Sequence, residues 1–198
     1  MSDQAALRPG RGRRPAAAVR RAVLAAAGEL LFEHGLGAVT FEKVAARAGA
    51  SKMTLYKWWP SPGALALDGY FAAVEDTLAF PNTGEIERDL TSQLHAFVRL
   101  LTERPAGRVI AELVGAAQAD PELAGAIASR HTRPRRALAV DRIGRAQRAG
   151  QVRAEVDPEV LVDQLWGACY HRLLLPDQPI DTAFADALVR NLLAGIRP

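Results

Sequence analysis

Cysteine is nearly absent from these 198 residues. Cys169 stands alone, so no disulfide can close within the chain and no cysteine cage for zinc can be assembled from it. Long apolar runs are missing too. No stretch approaches the roughly 18 continuous apolar residues of a spanning helix, and the basic N-terminal cluster leads into no signal-type apolar segment. A cytoplasmic chain with no membrane partner is therefore expected. Low-complexity tracts and long charge blocks are lacking, which argues against disorder over most of the length. What is present, 49% hydrophobic and 24% charged residues, suits an ordinary folded protein of one or two domains.

The net charge of +3 is unevenly distributed. Residues 1–60 hold ten Lys/Arg against four Asp/Glu, whereas residues 61–198 hold fifteen against eighteen. A polyanion would be drawn to the first third. Solvation of exposed faces explains such charge equally well, so a motif must decide between them.

Periodicity points to helices from end to end. Residues 1–15, with Pro9, Gly10, Gly12 and Pro15 among four arginines, read as a flexible basic arm. From Ala16, the positions Val19, Val23, Ala26, Ala27, Leu30 and Leu31 form one helical face that Gly35 ends. Thr40 can cap a short helix with Phe41, Val44, Ala45 and Ala48 inward, stopped by Gly49. Ser51 can cap another, from Lys52 to about Trp58, with Leu55 and Trp59 inward. Pro60–Pro62 then breaks the pattern, and Leu67, Phe71, Val74 and Leu78 stripe a longer helix. Further helices are expected around Leu90–Leu101 and after Pro105. Asp120-Pro121 and Asp157-Pro158 are paired start signals, and the last helix begins near Asp181. Pro134 should kink or break the 121–149 segment, because it has no N–H for the carbonyl of Arg130. No alternating strand pattern appears. The expected fold is all-α: an N-terminal three-helix unit with a helix-turn-helix, then a helical bundle, about nine helices in total.

Helix, glycine turn and helix within residues 40–59 match the helix-turn-helix arrangement, in which the first helix braces the second against the DNA major groove. With Leu55 and Trp59 inward, Lys52, Met53, Thr54, Tyr56, Lys57 and Trp58 occupy the other faces of a very short helix. That exceeds what packing alone requires.

The run Thr40-Phe41-Glu42-Lys43-Val44-Ala45-Ala46-Arg47-Ala48-Gly49-Ala50-Ser51-Lys52-Met53-Thr54-Leu55-Tyr56-Lys57-Trp58-Trp59 resembles the DNA-binding signature of TetR-type transcriptional regulators. The resemblance covers about residues 16–78. It implies that Lys52, Met53 and Thr54 face base edges and that Tyr56 and Trp58 lie near phosphates. The residue chemistry suits this: Lys52 can donate to guanine, Met53 can touch a thymine methyl, and the hydroxyls of Thr40, Thr54 and Tyr56 can bond phosphate oxygens. Ser51 joins the candidate surface, and Lys57 adds charge. Trp59 is read as core; Trp58 stays open between core and phosphate. Two positions depart from the family pattern. Pro62 stands where a phosphate-contacting lysine is common, and Met53 replaces a small residue, so one phosphate contact and the base preference are expected to differ. Arg11, Arg13 and Arg14 offer compensation in the minor groove, with solvated arginines as the alternative.

The resulting division is a basic arm (1–15), a helix-turn-helix domain (16–60) and an effector-binding and dimerisation domain (61–198). The resemblance implies an effector cavity among the helices between about residues 90 and 149, with the last two helices pairing in a dimeric four-helix bundle. Candidate dimer residues are Val160, Leu161, Leu165, Leu173, Leu188, Leu192 and Leu193, which supply more apolar face than a bundle edge needs. Candidate cavity residues are Phe97, Leu101, Leu113, Trp166, Tyr170 and His171, with plain core as the alternative. Expected partners are a second copy of the chain, a small lipophilic effector and duplex DNA with an inverted-repeat operator, its half-sites about one turn apart. No cofactor or metal is expected, since Cys169 and His171 are too close for i, i+4 ligation. Neither is an enzyme: the sequence has no nucleophile elbow or phosphate loop to serve His131 or His171. A helical protein-binding adaptor remains the alternative, with a small helical hydrolase using His131 or His171 behind it.

Overall fold

A computed structural model describes residues 15–74, 80–103 and 105–197. The arm arginines Arg11, Arg13 and Arg14, and Leu78 of the expected stripe, lie outside the described residues. Every regular element among those described is helical. Their order is α1 (Ala16–His34), α2 (Phe41–Ala48), α3 (Lys52–Trp58), α4 (Pro62–Val74), α5 (Ile86–Glu103), α6 (Ala106–Ala117), α7 (Pro121–Ile127), α8 (Arg133–Arg148), α9 (Pro158–Leu174) and α10 (Thr182–Ile196).

Side chains foreseen as caps do cap. Thr40 Oγ1 accepts from Lys43 N at 3.2 Å, and Ser51 Oγ accepts from Thr54 N at 3.2 Å. Asp120 and Asp157 accept from the first-turn amides of α7 and α9, and Asp181, expected only to stand near the start of the last helix, does the same for α10. Each bond satisfies an amide that the helix itself leaves unpaired. Gly49 closes α2 at φ 62°, ψ 38°, a left-handed conformation that the tight corner into α3 requires.

Between α7 and α8 the chain makes a wide π-type turn over Ala128–Thr132. The expected disturbance of the 121–149 helix at Pro134 takes the form of this π turn, which interrupts the α-helical ladder just before the proline and separates α7 from α8. The physical source is the missing N–H of Pro134, with the preceding turn held by tertiary contacts described below.

Helix α4 packs along α1 and also touches α6 and α7. At Gly69 the approach to α1 is so close that a Cβ would sit 2.9 Å from Gly28 N and 3.0 Å from Ala27 Cβ. Farther along, Asp89 of α5 is fully buried and takes Arg142 Nε of α8 at 2.5 Å, together with the amide and hydroxyl of Thr83. Burial would raise this carboxyl, yet the Thr83 bonds and the Arg142 guanidinium outweigh it and hold the pKa below the ordinary value.

Candidate nucleic-acid interface and internal cavity

Leu55 and Trp59 are buried, at 0% and 1% exposure, and they anchor α3 from beneath. With those positions pinned, Lys52, Met53, Tyr56 and Lys57 point outward, and Met53 is 76% exposed. So large an exposed thioether has no packing role in the chain. Ser51 is exposed, while Thr40, Thr54 and Trp58 are half-buried. Ser51 and Thr54 share a hydroxyl bond of 2.9 Å, Tyr56 leans edge-on against Phe41, and Trp58 leans edge-on against Trp59. Trp58 is thus partly packed against the core and partly exposed.

Glu42, at the start of α2, escaped notice in the sequence. Its carboxylate receives Lys52 Nζ at 3.0 Å, and this hydrogen bond lowers the Glu42 pKa. An acid ten residues from its partner carries no helical-spacing signal. Only the angle between α2 and α3 brings the two together.

Beneath α3 lies a polar hub on Asp68 of α4. Trp59 Nε1 donates to Asp68 Oδ2 at 2.8 Å, Arg130 Nη1 reaches both carboxylate oxygens at 3.2 Å, and Arg20 approaches at 3.4 Å. The Arg20 guanidinium also covers the Trp59 ring at 4.8 Å. His131 Nε2 sits 3.8 Å from Asp68 Oδ1. Burial pushes the Asp68 carboxyl up, but His131, Trp59 and Arg130 together pull it below its usual range. A second bridge runs from α6: Glu112 Oε1 accepts from Leu36 N at 3.0 Å in the turn between α1 and α2.

His131 has another face. Its ring stacks on Phe71 with centroids 3.4 Å apart, and both line a cavity of about 390 Å³ that opens to solvent beside Leu138 and Leu174. The walls come from α4 and α5 through α9, including the turn before α8, so α4 is the helix that contributes to them without having been expected to. Of the anticipated residues, Phe97, Trp166 and Tyr170 line it. Leu101 and Leu113 do not: they are buried in the core. His171 points to solvent, since its place on α9 is one residue past the inward Tyr170. Tyr70, Phe80, Gln93 and Arg135 also line the cavity and were missed, because residues from six helices meet there with no common sequence period.

The expected dimer face needs a similar correction. Leu161, Leu165 and Leu193 pack inside the chain's own core, where α9 and α10 meet α5, and are therefore unavailable to a partner. Val160 is exposed, and Leu173, Leu188 and Leu192 are half-buried. Among the described residues no cluster of His, Cys, Asp and Glu could hold a metal ion, and no described helix is long and apolar enough to cross a membrane.

Comparisons with known proteins agree with this geometry. Residues 23–68 match the family model "Bacterial regulatory proteins, tetR family", and residues 80–192 match "Tetracyclin repressor-like, C-terminal domain". The chain is 36% identical to the HTH-type transcriptional regulator YdeS of Bacillus subtilis, over 94% of each chain. It is 31% identical to a DNA-binding transcriptional repressor TetR of Mycobacteroides abscessus, over 89% of this chain and 93% of that one. The crystal structure of the regulator SCO0332 superposes with a TM-score of 0.83 at 59% identity, covering 91% of this chain and 99% of the other.

Proposed function

The chain belongs to the TetR family of DNA-binding transcriptional regulators, and from that premise we propose that it acts as a dimeric repressor whose hold on an inverted-repeat operator is released by a small effector in the cavity. The observation that carries the reading is the outward face of α3, whose exposed Lys52, Met53 and Lys57 stand over the buried anchors Leu55 and Trp59. Lys52, Met53 and Thr54 read base edges in the major groove. Thr40, Ser51, Tyr56, Lys57 and Trp58 meet the phosphates that set register. The basic arm, with Arg11, Arg13 and Arg14, adds minor-groove contacts.

Release follows from two conformations with different affinities for effector. The turn at Ala128–Thr132 carries His131 into the cavity wall and Arg130 onto Asp68, and Asp68 in turn holds Trp59 at the end of α3. An effector that displaces His131 shifts this turn, and with it the hub that seats the recognition helix. The Glu112–Leu36 bond offers a parallel route from α6 to the α1–α2 corner.

Selection of bound duplexes from a random pool, followed by sequencing, tests the proposal. A palindromic consensus bound with a negative salt slope supports both the partner and the twofold symmetry. An enriched pool without symmetry removes the dimeric operator, and no enrichment removes sequence-specific binding.

A further inference from the structure

Residues 40–60 carry four cations, Lys43, Arg47, Lys52 and Lys57, and one carboxylate, Glu42. On a surface that meets a polyanion, such a carboxylate weakens attraction and calls for a reason. Arg47 turns back to Glu29 at 3.0 Å and Glu33 at 3.1 Å, a brace that ties α2 to α1. Lys52 turns instead to Glu42 across the α2–α3 corner, and both partners remain 55% exposed. An ion pair so exposed adds little to stability in water. Its worth lies in where it stands.

Lys52 opens α3, so its ammonium lies against the positive end of that helix, and Glu42 offsets the field in the free chain. Bonds from Lys52 and from its own backbone amide hold the Glu42 carboxyl below its usual range, which makes the side chain an acceptor only. Once Lys52 moves to a guanine edge, that carboxylate is left among phosphates, where an unpaired negative charge is repelled and poorly hydrated. One G·C pair relieves both groups. Guanine presents O6 and N7 as acceptors, and the paired cytosine presents its N4 amino group as a donor. The O6 and N4 atoms are themselves joined by an N–H···O bond of about 2.9 Å, and the ammonium and carboxylate of the protein stand 3.0 Å apart. The two couples therefore match in order and in spacing. A reversed C·G pair would set amino against ammonium and keto against carboxylate.

We infer that Glu42 is a specificity-determining residue: on DNA it releases Lys52 to guanine and accepts a hydrogen bond from the N4 amino group of the cytosine paired with that guanine. The inference rests on the reading of α3 as the helix that meets base edges, and it assigns α2 a share of that work.

The test uses an operator duplex recovered by selection and the base pair whose preference Lys52→Ala flattens. In one half-site the cytosine of that pair is replaced by 2-pyrimidinone, which lacks the 4-amino group and leaves guanine in place, and binding of the full chain is followed by fluorescence anisotropy. The same replacement at a cytosine that Lys52→Ala does not affect measures what the duplex itself loses. The unsubstituted chain is expected to lose roughly tenfold to a hundredfold more affinity at the first position than at the second, the contribution of one hydrogen bond to a charged group. Glu42→Ala is expected to bring the two losses within about threefold of each other. Equal losses with the unsubstituted chain overturn the inference, even where Glu42→Ala fails to fold. So does a difference that survives Glu42→Ala, and so does a Lys52-dependent position that holds no G·C pair. In each of these cases selection still yields an operator, so the recognition helix stands and only the share of Glu42 falls. A pool without enrichment overturns the reading of α3 and the inference with it, and a Lys52→Ala chain that weakens all duplexes alike overturns base reading by Lys52 and by its partner together.

Discussion

In the free chain the ammonium of Lys52 rests on Glu42 and must leave it to reach a base edge. Under the proposed function, Lys52→Ala weakens binding to the preferred operator by roughly 1–3 kcal/mol and flattens preference at one base position. Competition among duplexes varied one position at a time checks this; a uniform loss on all of them would make Lys52 a phosphate contact. Asp68 supports a prediction on acidity. Its folded pKa is lowered, so its stabilising contribution is complete above the ordinary aspartate value near 3.9 and disappears as pH falls through the depressed folded value. Asp68→Asn should therefore cost about 1–3 kcal/mol at pH 7, with the gap from the parent narrowing at pH 3. Urea midpoints at the two pH values measure it. A gap of constant size would mean that the carboxylate charge is not what the hub uses.

Helix boundaries depend on local chemistry, which is why so many were legible. Thr40, Ser51, Asp120 and Asp157 act within three residues of themselves, and their hydroxyls and carboxylates cap as their positions predict. The turn at Ala128–Thr132 was legible only in part. Pro134 announces a break, but the chain opens earlier, where Arg130 is drawn to Asp68 and His131 to Phe71 from another helix. The α1–α4 crossing depends on contact as well. Gly69→Ala pushes a methyl against the backbone of α1, and overpacking of that kind costs roughly 1–3 kcal/mol. The thermal midpoint should fall accordingly, and DNA affinity should weaken because α4 also carries Asp68. An unchanged midpoint would show that α1 and α4 can separate freely.

For the whole molecule, the proposed dimer concerns the parts of α9 and α10 that the chain's own core leaves uncovered. Leu188→Glu combined with Leu192→Glu, at two half-buried positions, is expected to give monomers in sedimentation velocity and to weaken operator binding by roughly a hundredfold or more, since the two half-sites are then bound independently. A double variant that stays dimeric would move the interface elsewhere. Half of the anticipated cavity residues reached the cavity and half did not, for one reason. Phe97, Leu101, Leu113, Trp166, Tyr170 and His171 all have plausible side chains, but the rotation of each helix against its neighbours selects those that border empty space.

The amino-acid sequence alone determined the all-α class, the caps, the glycine corner and the outward residues of α3, because each depends on spacing within one or two turns of chain. The tertiary structure alone decided the Glu42–Lys52 pair, the Asp68 hub, the cavity with Arg135 in its wall and the leucines withdrawn from the dimer face. Those features join residues from ten to more than a hundred positions apart, and such meetings are set by how helices cross and rotate, quantities that no local pattern encodes.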